Sequence, residues 1–167
     1  IKKVNVLMMG PTGSGKTASV KLLAQIAGVP FYEADTSCMT RSGYVGDSVD
    51  SAIEGLLRSV GNNVARAEQG IILFDEVDKI AARRTTDRDI GGRDLQAEFL
   101  KLVEGKKVTV KIPAPLAIMK PQEIEVDTSK ILFIGAGAFS MLPKKEEPYT
   151  TDDIVEAGFM PEFVGRF

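Results

Sequence analysis

Eight consecutive residues constrain this chain more than any others. Gly10-Pro11-Thr12-Gly13-Ser14-Gly15-Lys16-Thr17 reads G-x-x-x-x-G-K-[ST] in full. Before it stands a nearly continuous apolar run (Val4, Val6, Leu7, Met8, Met9), which predicts a buried strand. After it, Val20, Leu23, Ala24 and Ala27 recur at helical spacing, and Gly28 with Pro30 marks the stop. A strand, a glycine loop and a helix in that order form a cradle for phosphate. Glycines let main-chain N–H groups turn inward on an anion, and the helix start adds free N–H groups and a positive dipole end. Pro11, Thr12, Gly13, Ser14, Gly15, Lys16, Thr17 and Ala18 are therefore expected to hold a nucleotide, with the Lys16 ammonium near its β- and γ-phosphates. The Thr17 hydroxyl is expected on Mg²⁺. The competing reading is a glycine-rich turn with no ligand.

A second motif supplies the opposite charge. Ile71-Ile72-Leu73-Phe74 runs into Asp75-Glu76. Carboxylates beside a buried apolar strand are unfavourable unless a cation offsets them, and Mg²⁺ at the glycine loop is that cation. Asp75 is thus expected to hold Mg²⁺, directly or through water, and Glu76 to orient or deprotonate an attacking water. A carboxylate on water points to hydrolysis of ATP. A strand running out into a polar turn is the plainer alternative.

Elsewhere the pattern predicts a strand over 31–34 and a helix whose face carries Val49, Ile53, Leu56, Leu57 and Val60, capped by Asp47 or Ser48. An interruption at 61–63 precedes a helical piece over 64–69. Residues 83–93 read as a polar loop, 95–103 as a helix ended by Gly105, and 131–134 as a buried strand. Residues 108–112 and 124–126 alternate like a small hairpin. Asp152 is expected to cap a short helix, and Pro161 to open another. Strands alternating with helices predict one α/β domain over 1–167: a parallel sheet with helices on both faces, plus a small β-hairpin insertion.

Composition narrows the chemistry. With no histidine, a His-based triad and a His-ligated zinc site are excluded. A net charge of −2 gives no global attraction to nucleic acid or acidic membranes. The single cysteine, Cys38, permits no internal disulfide and suits a reducing, cytoplasmic setting.

These motifs resemble those of the AAA+ ATPases, and most closely the ClpX-type protein unfoldases. The resemblance rests on Gly10 to Thr17, Gly43-Tyr44-Val45-Gly46, Asp75-Glu76-Val77-Asp78-Lys79-Ile80, residues 126–134 and residues 158–166. It implies the large ATP-binding subdomain of a P-loop NTPase in a homo-oligomeric ring, usually of six subunits. It implies that Gly43, Tyr44, Val45 and Gly46 line an axial pore and grip an unfolded or tagged polypeptide, and that residues 85–92 form a second pore loop. From the residues alone, a loop anchored inward by Tyr44 remains open. Arg166 matches the arginine finger that reaches a neighbouring subunit's site; a surface arginine at a helix end is the alternative. A nucleic-acid remodeller on the same scaffold is the competing function, against which stand the acidic balance and Tyr44.

The sequence departs from that family in places. The segment before the first strand, the small helical domain with its second sensor arginine, and the cysteine-rich N-terminal domain are all expected to be absent from this stretch. The first strand is then expected at an exposed sheet edge. Between Phe139 and Asp152 the chain is short and has no Ile-Gly-Phe tripeptide, so docking onto a ClpP-like peptidase is left open. No polar first sensor is evident at Gly135-Ala136-Gly137, and Thr128 and Ser129 precede that strand.

Overall fold

A computed structural model describes residues 4–39, 48–81, 90–112, 121–144 and 146–167, with side chains at 90–92 left out. Its main sheet contains β1 (Val6–Met9), β2 (Phe31–Asp35), β3 (Ile71–Asp75) and β6 (Leu132–Gly137) in the order β1-β6-β3-β2, every pairing parallel. A separate antiparallel pair joins β4 (Lys107–Ile112) to β5 (Gln122–Asp127). The helices are α1 (Lys16–Ala27), α2 (Ser51–Ser59), α3 (Val64–Ala67), α4 (Ile90–Glu104), α5 (Thr151–Glu156) and α6 (Pro161–Val164).

The period-two alternation of β3 shows why its sequence is apolar without a break. Leu73 packs on one face with Val20 of α1 and with Ile134 and Ala136 of β6. Ile72 and Phe74 look the other way, into a larger core shared with α2, α4, α5 and α6. Phe74 meets Phe99 of α4 edge to face at 4.6 Å and stacks on Phe133 at 6.0 Å. A strand covered on both faces needs large apolar residues at every position. The predicted α/β sandwich is therefore present, and so is the hairpin, whose Val108, Val110 and Val126 turn inward.

Several local expectations differ from what the chain does. Helix α1 buries only Val20 and Ala24, while Leu23 is 61% exposed. Its contact with the sheet is one narrow strip, so an i, i+4 pair exhausts it. Strand β1 lies at the sheet edge as expected, hydrogen-bonded to β6 alone, but it is not buried throughout: Val6 and Met9 are exposed there. Helix α2 starts after Asp50, with no side-chain cap; the Ser48 carbonyl instead accepts from the Ser51 amide and hydroxyl. Helix α4 begins at Ile90, so residues 90–93 are helical where a loop was expected. Thr150, and not Asp152, caps α5, through a capping box with Asp153.

Candidate nucleotide-binding site

The site lies where β1, β3 and β6 end on the same side of the sheet, which is where parallel α/β sheets place ligands. Gly13 and Gly15 both adopt positive φ, 81° and 83°. An added Cβ would meet nothing within 4 Å at either position, so the backbone conformation and not crowding demands glycine there. Gly15 is the N-cap of α1 and makes no side-chain cap bond. The amides of the first turn are left for an anion. Lys16 Nζ donates to the carbonyls of Gly10 at 2.6 Å and Pro11 at 3.0 Å, folding the ammonium over the loop.

Thr17 Oγ1 donates to Asp75 Oδ2 at 3.0 Å, although the two are 58 positions apart in the chain. Asp75 is held on its other side: its Oδ1 accepts from the Glu76 amide at 2.8 Å and its carbonyl from the Thr36 hydroxyl at 2.7 Å. Glu76 has φ of 54°. A left-handed glutamate is uncommon and breaks the strand's alternation, leaving its carboxylate exposed beside Asp75 instead of packed in the core.

A cleft of 520 Å³ joins these groups. That volume is in the range of small-molecule sites. Thr12, Gly13, Gly15, Lys16, Thr17, Ala18, Asp75 and Glu76 line it, together with Asp78, Lys79, Gly137, Ala138 and Ser140. Of the residues expected at the nucleotide, Pro11 and Ser14 do not line it. The Ser14 amide donates to the Pro11 carbonyl at 3.2 Å, so both are spent in building the loop's turn. Arg166 also lies outside the lining, exposed and paired with Glu104. Gly43, Tyr44, Val45 and Gly46 fall outside the described residues, as do positions 85–89 of the second expected pore loop.

Sequence reasoning missed three groups here. Thr36 is buried and fixes Asp75, but a lone threonine after a short strand carries no signal. Asp78 is 8% exposed and its Oδ2 accepts from the Phe139 amide at 3.3 Å, tying the turn after β3 to the turn after β6. Phe139 is left-handed, with φ of 51°, and Ser140 follows it into the cleft. A polar residue does reach this end of β6, three positions past the strand. Thr128 is not that residue: it is buried between the Leu102 carbonyl and the Lys106 amide.

The donor set suits Mg²⁺. Thr17 Oγ1 and Asp75 Oδ2 are hard oxygen ligands within reach of a common ion. Among the described residues no group of three or more His, Cys, Asp or Glu gathers to cage a metal. One carboxylate and one hydroxyl are what Mg²⁺ uses when a substrate's phosphates and water complete its shell.

The family model described as the AAA domain (Cdc48 subfamily) matches residues 1–167. The chain belongs to the AAA domain family. This AAA domain is similar to the ATP-dependent Clp protease ATP-binding subunit ClpX of Azotobacter vinelandii, at 40% identity over 198 residues that take in 100% of the chain. The corresponding subunits of Methylococcus capsulatus (ClpX 3) and Treponema denticola are 36% and 35% identical, over 100% and 99% of the chain. The AAA domain spans 45%, 46% and 47% of those three relatives, about half their length. Its α/β sheet is that of a P-loop NTPase. Among the described residues no helix is long and apolar enough to cross a membrane.

Proposed function

We propose that this AAA domain is the ATP-hydrolysing core of a ring motor that unfolds polypeptides and threads them through its axis. The observation that carries the reading is the 3.0 Å contact between Thr17 and Asp75, with Glu76 beside it and Lys16 lining the same cleft. The loop amides of Thr12, Gly13 and Gly15 to Ala18, all of which line the cleft, wrap the phosphates, and Lys16 leaves its two carbonyls for the β- and γ-oxygens. Bound Mg²⁺, held by Thr17 and Asp75, would draw charge off the phosphate oxygens. Glu76 accepts a proton from the water that attacks the γ-phosphorus, and the bond from that phosphorus to the bridging oxygen breaks with its electrons going to ADP.

Arg166 lies outside its own cleft, which suits a group serving a neighbour's site in a homo-oligomer, by family resemblance a hexamer. Tyr44 and Val45 between Gly43 and Gly46 are the gripping tip. The relatives' printed names make each the ATP-binding subunit of a protease. A Clp-type peptidase partner and a cytoplasmic setting are proposed here on that likeness.

The test is a pair of variants in the natural, assembled protein. Glu76→Gln should keep Mg-ATP binding and lose turnover by about a hundredfold or more, and Lys16→Ala should lose binding. Turnover of the parent should rise with unfolded protein and not with DNA. A Glu76→Gln ring that hydrolyses at the parent rate removes Glu76 from its role.

A further inference from the structure

Arg166 is held at two points by residues that the nucleotide cleft does not use. Asn5 is 5% exposed, and a buried amide requires partners. Its Nδ2 donates to the Arg166 carbonyl at 3.0 Å, and its Oδ1 accepts from the Phe133 amide of β6 at 3.4 Å. The main chain at Arg166 is thereby tied to the foot of β1, the strand that carries the glycine loop. The side chain is tied separately. Arg166 Nε and Nη2 both donate to Glu104 Oε1, at 2.9 Å and 2.5 Å.

Glu104 is the last residue of α4, where the helix dipole disfavours an acid. The ion pair with Arg166 offsets that cost. The spacing between α4 and α6 is set by packing, since Phe99 and Phe163 meet edge to face at 6.5 Å. The carboxylate takes the Nε–Nη2 edge of a planar fork. No described residue bonds Nη1, and the side chain is 53% exposed.

We propose that Glu104 is a positioning residue for catalysis at the neighbouring subunit: it fixes the guanidinium plane of Arg166 so that the Nη1 edge faces the neighbour's γ-phosphate. The proposal rests on Arg166 acting between subunits, and the experiment separates the two ideas. Glu104→Gln, Arg166→Ala and the double variant are compared with the parent in the natural assembled protein, reading kcat, KM, nucleotide binding and ring assembly. Glu104→Gln is isosteric at a partly exposed position, so the fold is kept. It should lower kcat by about ten- to a hundredfold, the upper figure being the cost of a group misplaced by about 1 Å, with KM and assembly unchanged. The double variant should be no slower than Arg166→Ala. Subunits carrying Glu76→Gln and Glu104→Gln, mixed into parent rings, should slow the parent's sites more than subunits carrying Glu76→Gln alone. If Arg166→Ala turns over normally, the reading of Arg166 fails and takes this proposal with it. If Arg166→Ala is slow but Glu104→Gln matches or exceeds the parent, or slows the double variant further, Glu104 does not position Arg166.

Discussion

Two glycines on one face of β6 make a matched pair for testing how tightly the cleft's floor is built. A Cβ added at Gly137 would overlap Asp78 Oδ1 and come within 2.9 Å of Phe139 Cε2 and 3.0 Å of Asp78 Cγ. Asp78 is short and buried, and it holds the Phe139 amide. It cannot move aside without giving up that bond. Overpacking costs about 1–3 kcal/mol, and a hydrogen bond to a charged group contributes about 1.5–3 kcal/mol. The two costs overlap, so Gly137→Ala should destabilise by about 3 kcal/mol. At Gly135 the added atom would meet Leu7 Cδ1 at 3.1 Å and Val77 Cγ1 at 3.4 Å, both methyl ends that can give. The gain from a stiffer unfolded chain, about 0.4–1 kcal/mol, largely offsets that crowding. Thermal unfolding of both variants beside the parent gives the answer: roughly 2–4 °C is lost per kcal/mol in a domain of this size, so Gly137→Ala should melt about 6–12 °C lower. Its nucleotide affinity should fall too, because Ala138 and Ser140 move with Phe139, whereas Gly135→Ala should bind as the parent does. If the two variants melted within about 2 °C of each other, the claim that Asp78 wedges β6 would be wrong.

Other expectations follow from single contacts. Gly55 sits inside α2, where alanine would ordinarily stabilise by about 0.8–1 kcal/mol, but the added methyl would overlap the Tyr32 ring, whose hydroxyl oxygen would lie 2.5 Å away. Gly55→Ala should therefore lower the urea midpoint, and Tyr32→Ala in the same chain should recover part of the loss. Thr17→Val should retain nucleotide, lose at least about tenfold in turnover and need more Mg²⁺ for half-maximal rate; a variant with the parent's rate and Mg²⁺ requirement would remove Thr17 from the metal. Asp35 and Asp127 are each held below the ordinary aspartate value of 3.8, Asp35 by the Ser37 side chain and amide, Asp127 by the Ser129 amide and side chain. With folded values depressed, their stabilisation is complete above the unfolded pKa and disappears as pH falls through the folded one. Asp35→Asn and Asp127→Asn should thus flatten the loss of stability below about pH 4, read as urea midpoint against pH; curves parallel to the parent's would refute it.

What the sequence alone determined is local. The glycine loop, its strand and its helix were legible because left-handed glycines, a lysine and a threonine at set spacing are demanded by backbone geometry and phosphate chemistry, whatever surrounds them. That β3 ends at the cleft was legible from its own residues: Asp75 and Glu76 contradict the apolar run they terminate. Tertiary structure decided what depends on contacts across the chain. Thr36, Asp78, Ser140, Asn5 and Glu104 are ordinary polar residues in their own neighbourhoods, and only strand order and helix packing bring them to Asp75, to the cleft or to Arg166. Packing also decided which face of α1 is covered and where α4 begins, because burial of one strip against a sheet is a property of the pair of elements and not of either sequence.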